Sequence, residues 1–180
     1  MFKPDKIASV YRKSSNTLVK YKEEKDYWIV SDTYSLFILT PEEYVKFISK
    51  YNSYKSTKNI PLQATAYSVQ TQNDKVPNFD LVIPDISRRM TLEVTELHWK
   101  DSNILKAENG KLVALDEKYI KLIPESNVDW DWNYIADETT AKLFLSPIKV
   151  ECGNLMKALI MPVRCGDAGS PKEAIEEVIN

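Results

Sequence analysis

Few residues of this chain have the types and spacing that catalysis requires. The single histidine, His98, sits in Glu96-Leu97-His98-Trp99-Lys100 and reads as a partly exposed structural residue at a strand end. Cys152 and Cys165 are the only cysteines. Two are too few for a disulfide framework or an all-Cys zinc site, so both read as ordinary thiols. Asp80 and Glu93 suggest a metal-dependent nuclease of the Asp…Glu-x-Lys type, but the residue after Glu93-Val94 is Thr95 where lysine is required. Surface carboxylates on strands account for them better. No G-x-S-x-G, H-E-x-x-H or P-loop motif is present. With 4 glycines in 180 residues, the chain has little material for loops that cradle phosphates. Asp129-Trp130-Asp131-Trp132 reads either as an aromatic contact patch or acidic metal loop, or as a loop folding its indoles onto a domain edge; the second is preferred. The expectation is a scaffold, not an enzyme, with no cofactor and no metal.

The cations are more informative. Lys6, Arg12 and Lys13 fall on one predicted helix and Lys46 and Lys50 on another, with Lys55 and Lys58 following. Faces of this kind can meet nucleic-acid phosphates without reading sequence. The charge is unevenly spread. Residues 1–60 hold 11 Lys/Arg against 7 Asp/Glu, and residues 61–180 hold 13 against 19. The overall net charge of −2 therefore conceals a basic first third, which is what a surface facing duplex DNA needs.

The elements that must position these residues follow from periodicity. Ile7, Val10 and Tyr11 are spaced for one helical face. Thr17–Tyr21, Tyr27–Val30 and Tyr34–Leu39 are rich in β-formers and predict an antiparallel meander with a turn at Lys22–Asp26. Thr40-Pro41-Glu42-Glu43 is a capping box with proline at the first helical position. It predicts a helix to about Tyr51. Residues 62–72, 81–84, 90–97, 103–107 and 111–115 predict strands, with Asn109-Gly110 as a hairpin turn. Asp116 opens a short helix stopped by Pro124, and residues 127–137 read as irregular. Residues 141–145, 148–152 and 155–162 predict strands, and Ser170-Pro171-Lys172-Glu173 opens a terminal helix. The predicted class is α+β, with antiparallel sheets and a few short helices.

At 43% hydrophobic and 28% charged, the composition is that of a globular protein of one domain or two small ones. No apolar run approaches the length of a membrane span, and Met1-Phe2-Lys3-Pro4-Asp5 shows no leader. The expectation is a cytoplasmic protein without a membrane partner.

Three stretches, in order, resemble the bacterial sliding clamp, the beta subunit of DNA polymerase III. Ile29–Leu36 is similar to the clamp's strand–turn–strand signature and is followed, as in the family, by a capped helix. Val76–Pro84 is similar to the linker entering the last clamp domain. Leu112–Ile120, Ser146-Pro147-Ile148 and Ala158–Arg164 resemble the closing helix, penultimate strand and terminal Met-Pro-x-Arg strand; the last is the most specific match. The resemblance covers the second half of a middle domain and a shortened last domain. It divides the chain into a helix/hairpin/helix half at 1–76, a C-terminal-like domain at 77–164, and a tail at 165–180.

The resemblance implies a clamp-like, processivity-fold architecture and a non-enzymatic role in DNA replication. Lys6, Arg12, Lys13, Lys46 and Lys50 would face duplex DNA non-specifically. Leu36, Pro77, Leu81, Val82, Leu159, Met161, Pro162, Val163 and Arg164 would line an apolar pocket for a peptide of DNA polymerase or another partner. A ring would make the protein a homo-oligomer. The alternative is a protein-binding adaptor of the same fold that does not encircle DNA; metal-dependent nuclease is the third reading.

Overall fold

The computed structural model describes residues 2–53, 58–81, 83, 86, 88–127, 131–138 and 146–164. The chain divides into two compact units, Met1–Asp80 and Leu81–Asn180. Both are α+β, and every strand pairing within them is antiparallel.

The first unit runs α1 (Pro4–Tyr11), β1 (Leu18–Lys22), β2 (Tyr27–Ser31), β3 (Ser35–Leu39), α2 (Pro41–Asn52) and β4 (Ala66–Ser68). Its strands lie in the order β4-β1-β2-β3. The register aligns Val19 with Val30 and Phe37, and Tyr21 with Trp28 and Leu39. Residues opposite one another share a sheet face, and this face receives the helices. Trp28 stacks on Tyr44 of α2 with 3.6 Å between ring centroids. Phe37 packs against Tyr11 of α1 and against Phe2. Phe47 and Tyr51 continue the aromatic layer along α2. Both bonds of the predicted capping box form: Glu43 N–H donates to Thr40 Oγ1 at 3.2 Å and Thr40 N–H donates to Glu43 Oε2 at 2.9 Å.

The second unit runs β5 (Arg89–Trp99), β6 (Ser102–Ala107), β7 (Leu112–Asp116), α3 (Glu117–Ile120), β8 (Trp132–Asp137), β9 (Ile148–Cys152) and β10 (Leu155–Ile160). The strand order is β10-β9-β8-β5-β6-β7. Val163, three residues past β10 at one end of the order, donates its N–H to the carbonyl of Ala114 in β7 at the other end, at 2.8 Å. Its side chain packs on Ile104 and Ala114 beside Trp99 and Leu112. α3 packs against β6 and β7, with Tyr119, Leu122 and Ile123 buried.

Several expectations change. The strand expected over 62–72 is reduced to Ala66–Ser68, flanked by turns; Gln72 takes φ +53, which breaks the extended run. Leu81 ends a 3-10 turn, Phe79–Leu81, where a strand over 81–84 was expected. The irregular reading of 127–137 is wrong for Trp132–Asp137, which forms β8 between β5 and β9. Its alternation of Trp132, Tyr134 and Ala136 was hidden by the acidic residues before it. The helix at Asp116 is a single turn. The expected strand at 141–145, the terminal helix and the 165–180 tail lie outside the described residues.

The division after Asp80 has a local cause. Phe79 is buried, and Asp80 forms an ion pair with Lys22 of β1, tying this turn to the first unit. The hydrogen bond from Lys22 holds the Asp80 carboxyl below its ordinary range and raises the Lys22 ammonium.

Candidate functional site

The first unit's helical layer gathers the basic residues. α1 buries Pro4, Ile7, Ala8 and Tyr11; α2 buries Tyr44, Phe47, Ile48 and Tyr51. The two helices pack against each other, with Tyr11 against Phe47 at 6.2 Å between centroids. Helical spacing then sends the remaining positions outward. Lys6, Lys13 and Lys46 are exposed, Lys50 and Arg12 half-buried. Lys3 and Lys58 are also exposed. Asp5 and Glu42 are the exposed carboxylates of these two helices, while the Glu43 carboxylate is turned in and spent on the cap.

Arg12 has a second occupation that helical spacing does not show. Its guanidinium lies over the Tyr51 ring, 5.0 Å from the centroid, and donates to the Lys58 carbonyl at 2.9 Å. Beneath it, Tyr51 donates to Thr17 and Thr17 to the Tyr11 carbonyl, each at 3.1 Å. Arg12 therefore joins the ends of both helices, with only part of its charge presented to solvent. A basic residue at the close of an amphipathic helix was the only sequence signal for this.

The Ile29–Leu36 stretch forms a tight, internally bonded turn. The Asp32 carboxylate is buried and accepts from Tyr34 N–H at 3.2 Å, Ser35 N–H at 2.9 Å and Ser35 Oγ at 3.0 Å. The Tyr11 hydroxyl meets Ser35 Oγ at 2.9 Å, linking the turn to α1. These bonds hold Thr33 at φ +86, a region that β-branched residues avoid.

The residues expected to line a peptide pocket are spread over both units. Leu36 is buried in β3. The register places it, with Leu18 and Ser31, on the sheet face away from the helices. Lys22 shares that face, so its ion pair brings the Phe79–Leu81 turn there. Pro77 is exposed just before that turn. In the second unit Leu159 is buried, Met161, Pro162 and Val163 are half-buried, and Arg164 is exposed. The Leu81 side chain and all of Val82 lie outside the described residues.

Asp80 is paired with Lys22, and Glu93 is exposed on β5. Among the described residues no group of three or more His, Cys, Asp or Glu is placed to hold a metal ion. No helix among them is long and apolar enough to cross a membrane. No family model, curated protein or solved structure matches the chain.

Proposed function

We propose that this protein is a non-catalytic, sliding-clamp-like scaffold of the DNA-replication type, acting as a processivity factor in the cytoplasm. It binds duplex DNA non-specifically through the α1/α2 layer. The observation that carries this reading is the packing of α1 and α2 into one layer with Lys6, Lys13 and Lys46 exposed on it. Lysines on a rigid helical surface suit phosphate contacts, which position a duplex without reading its bases. Leu36 lies on the opposite sheet face, so this reading separates a DNA surface from a partner surface.

The test is duplex binding as a function of salt. Binding is expected to be independent of sequence. Replacing Lys6 and Lys46 by Gln lowers the slope of log affinity against log salt by about two, one for each lost phosphate contact. An unchanged slope overturns the interface. Retention on circular but not linear DNA tests ring formation by several copies.

A protein-binding adaptor without a DNA role is the second reading. It is favoured by the half-buried Met161-Pro162 stretch beside the anchored Val163, where a flexible thioether can adapt to a polymerase or other clamp-binding peptide. Peptide capture that survives Met161→Asp removes this surface from consideration.

A further inference from the structure

The C-terminal ends of α1 and α2 meet, and the cations of both helices gather there. α1 carries Asp5 in its first turn and closes on Arg12 and Lys13; α2 carries Glu42 and Glu43 in its first turn and Lys50 in its last. The helix dipole favours this polarity, with carboxylates at the start and cations at the end. The Arg12 guanidinium, over the ring of Tyr51 near the end of α2, brings the two basic ends together. The chain returning from α2 is then fastened to them at two points. Arg12 donates to the Lys58 carbonyl at 2.9 Å. Two residues on, Asn52 at the end of α2 grips the main chain of Ile60. Its Nδ2 donates to the Ile60 carbonyl at 2.7 Å, and its Oδ1 accepts the Ile60 N–H at 2.9 Å. Ile60 is itself 1% exposed, while the Lys58 between these fastenings and the Lys13 beside them are exposed.

A lysine on an unattached loop loses main-chain freedom when it meets a phosphate, and that loss offsets part of the contact. At Lys58 the freedom is removed before any ligand arrives, because α1 holds its carbonyl and α2 holds Ile60. Lys58 is thereby fixed at the same end of the helical layer as Lys13 and Lys50. The guanidinium does this by its shape. Planar, with five donors in a rigid fork, it can lie on the Tyr51 ring and still donate to a carbonyl. An ammonium is a compact point donor and does not keep both contacts. Arg12 is thus turned onto a ring and a main-chain oxygen, where its neighbours Lys13 and Lys58 are turned to solvent.

We propose that Lys58 contacts duplex phosphate and that Arg12 is its positioning residue, acting through the Lys58 main chain and not on the DNA itself. This rests on the DNA reading of the α1/α2 layer. It adds a contact from outside both helices and gives Arg12 a different role from the lysines around it.

The test is the salt dependence of duplex binding by the full chain. Lys58→Gln is expected to lower the slope of log affinity against log salt by about one. Arg12→Lys keeps the charge and still lowers the slope by about one, as does Asn52→Ala, which alters no charge. Arg12→Gln lowers it no further once Lys58→Gln is present, since one contact is lost only once. In the free protein the Ile60 amide exchanges faster in Arg12→Lys and in Asn52→Ala, with far-UV circular dichroism unchanged. Where Arg12→Lys disturbs the circular dichroism, Asn52→Ala decides. A slope indifferent to Lys58→Gln, a folded Arg12→Lys with the original slope, or a further fall on adding Arg12→Gln overturns the assignment and leaves the other lysines of the layer standing. An unaltered chain that binds no duplex overturns the DNA reading, and the assignment with it.

Discussion

The two units solve the same problem in opposite ways. Each has a sheet with an apolar face to cover. The first lays two helices on it and fills the space with rings: Phe2, Tyr11, Trp28, Phe37, Tyr44, Phe47 and Tyr51. The second brings Val163 to Ala114 on one sheet face and lines the other with buried aliphatic side chains such as Leu105, Val113, Ile148, Val150 and Ile160. Their surfaces differ accordingly. The first unit holds 12 Lys/Arg against 9 Asp/Glu, the second 12 against 17. A helical layer provides an outward face that can carry charge in rows. The proposed DNA surface falls where this difference puts it.

The sharpest way to break the comparison is at the centre of the aromatic layer. Phe47 is fully buried, with Tyr11, Tyr44 and Tyr51 around it. Phe47→Ala is expected to cost about 4 kcal/mol, read by urea unfolding with Trp28 fluorescence as the probe. A loss under about 1 kcal/mol would mean that the rings do not act as a packed layer.

Both units bury a tyrosine whose hydroxyl is pushed up by desolvation, Tyr44 in the first and Tyr134, to about 12, in the second. Here the folded state holds its proton more tightly than the unfolded state. The stability due to Tyr134 is complete below the ordinary tyrosine value of 10.0 and is lost as pH rises through about 12. For Tyr134 the loss amounts to about 2–3 kcal/mol at the alkaline end. Tyr134→Phe should flatten the alkaline limb of a stability-versus-pH curve; an unchanged limb would show that the hydroxyl is solvated.

A smaller effect tests the polar side of the second unit. Glu151 is buried and paired with Arg89 through two hydrogen bonds, which raise the guanidinium. Arg89 is itself half exposed, so solvent takes part of the strain when it is lost. Arg89→Met is expected to cost about 2 kcal/mol, with most of it recovered on adding Glu151→Leu. No recovery would locate the cost elsewhere.

The smallest effect concerns closure of the sheet. Val163→Pro removes one N–H donor to Ala114 and should cost about 1 kcal/mol, with faster hydrogen exchange in β7. Unchanged exchange in β7 would mean that the sheet closes without this bond.

Much of the fold was legible locally. The capping box at Thr40–Glu43 formed as read because its bonds join residues three apart. Gly110, at φ +80, supplies the left-handed position that the Asn109-Gly110 hairpin needs. The errors lie where partners are distant. Trp132–Asp137 is held as a strand between β5 and β9, and the alternation of Trp132, Tyr134 and Ala136 is its only local signal. The candidate cations were legible as two amphipathic helices, but not that Arg12 would be committed to Tyr51 and Lys58.

By itself, then, the sequence determined the antiparallel α+β class, the caps and turns, the basic character of the helices and the scarcity of catalytic side chains. These depend on residue type and short-range spacing. Only the tertiary structure decided that the two basic helices share a layer and that Val163, after the last strand, meets Ala114 in β7. Each of those outcomes rests on packing and hydrogen bonding between segments far apart in the chain, and the order in which strands pair is not written in any one of them.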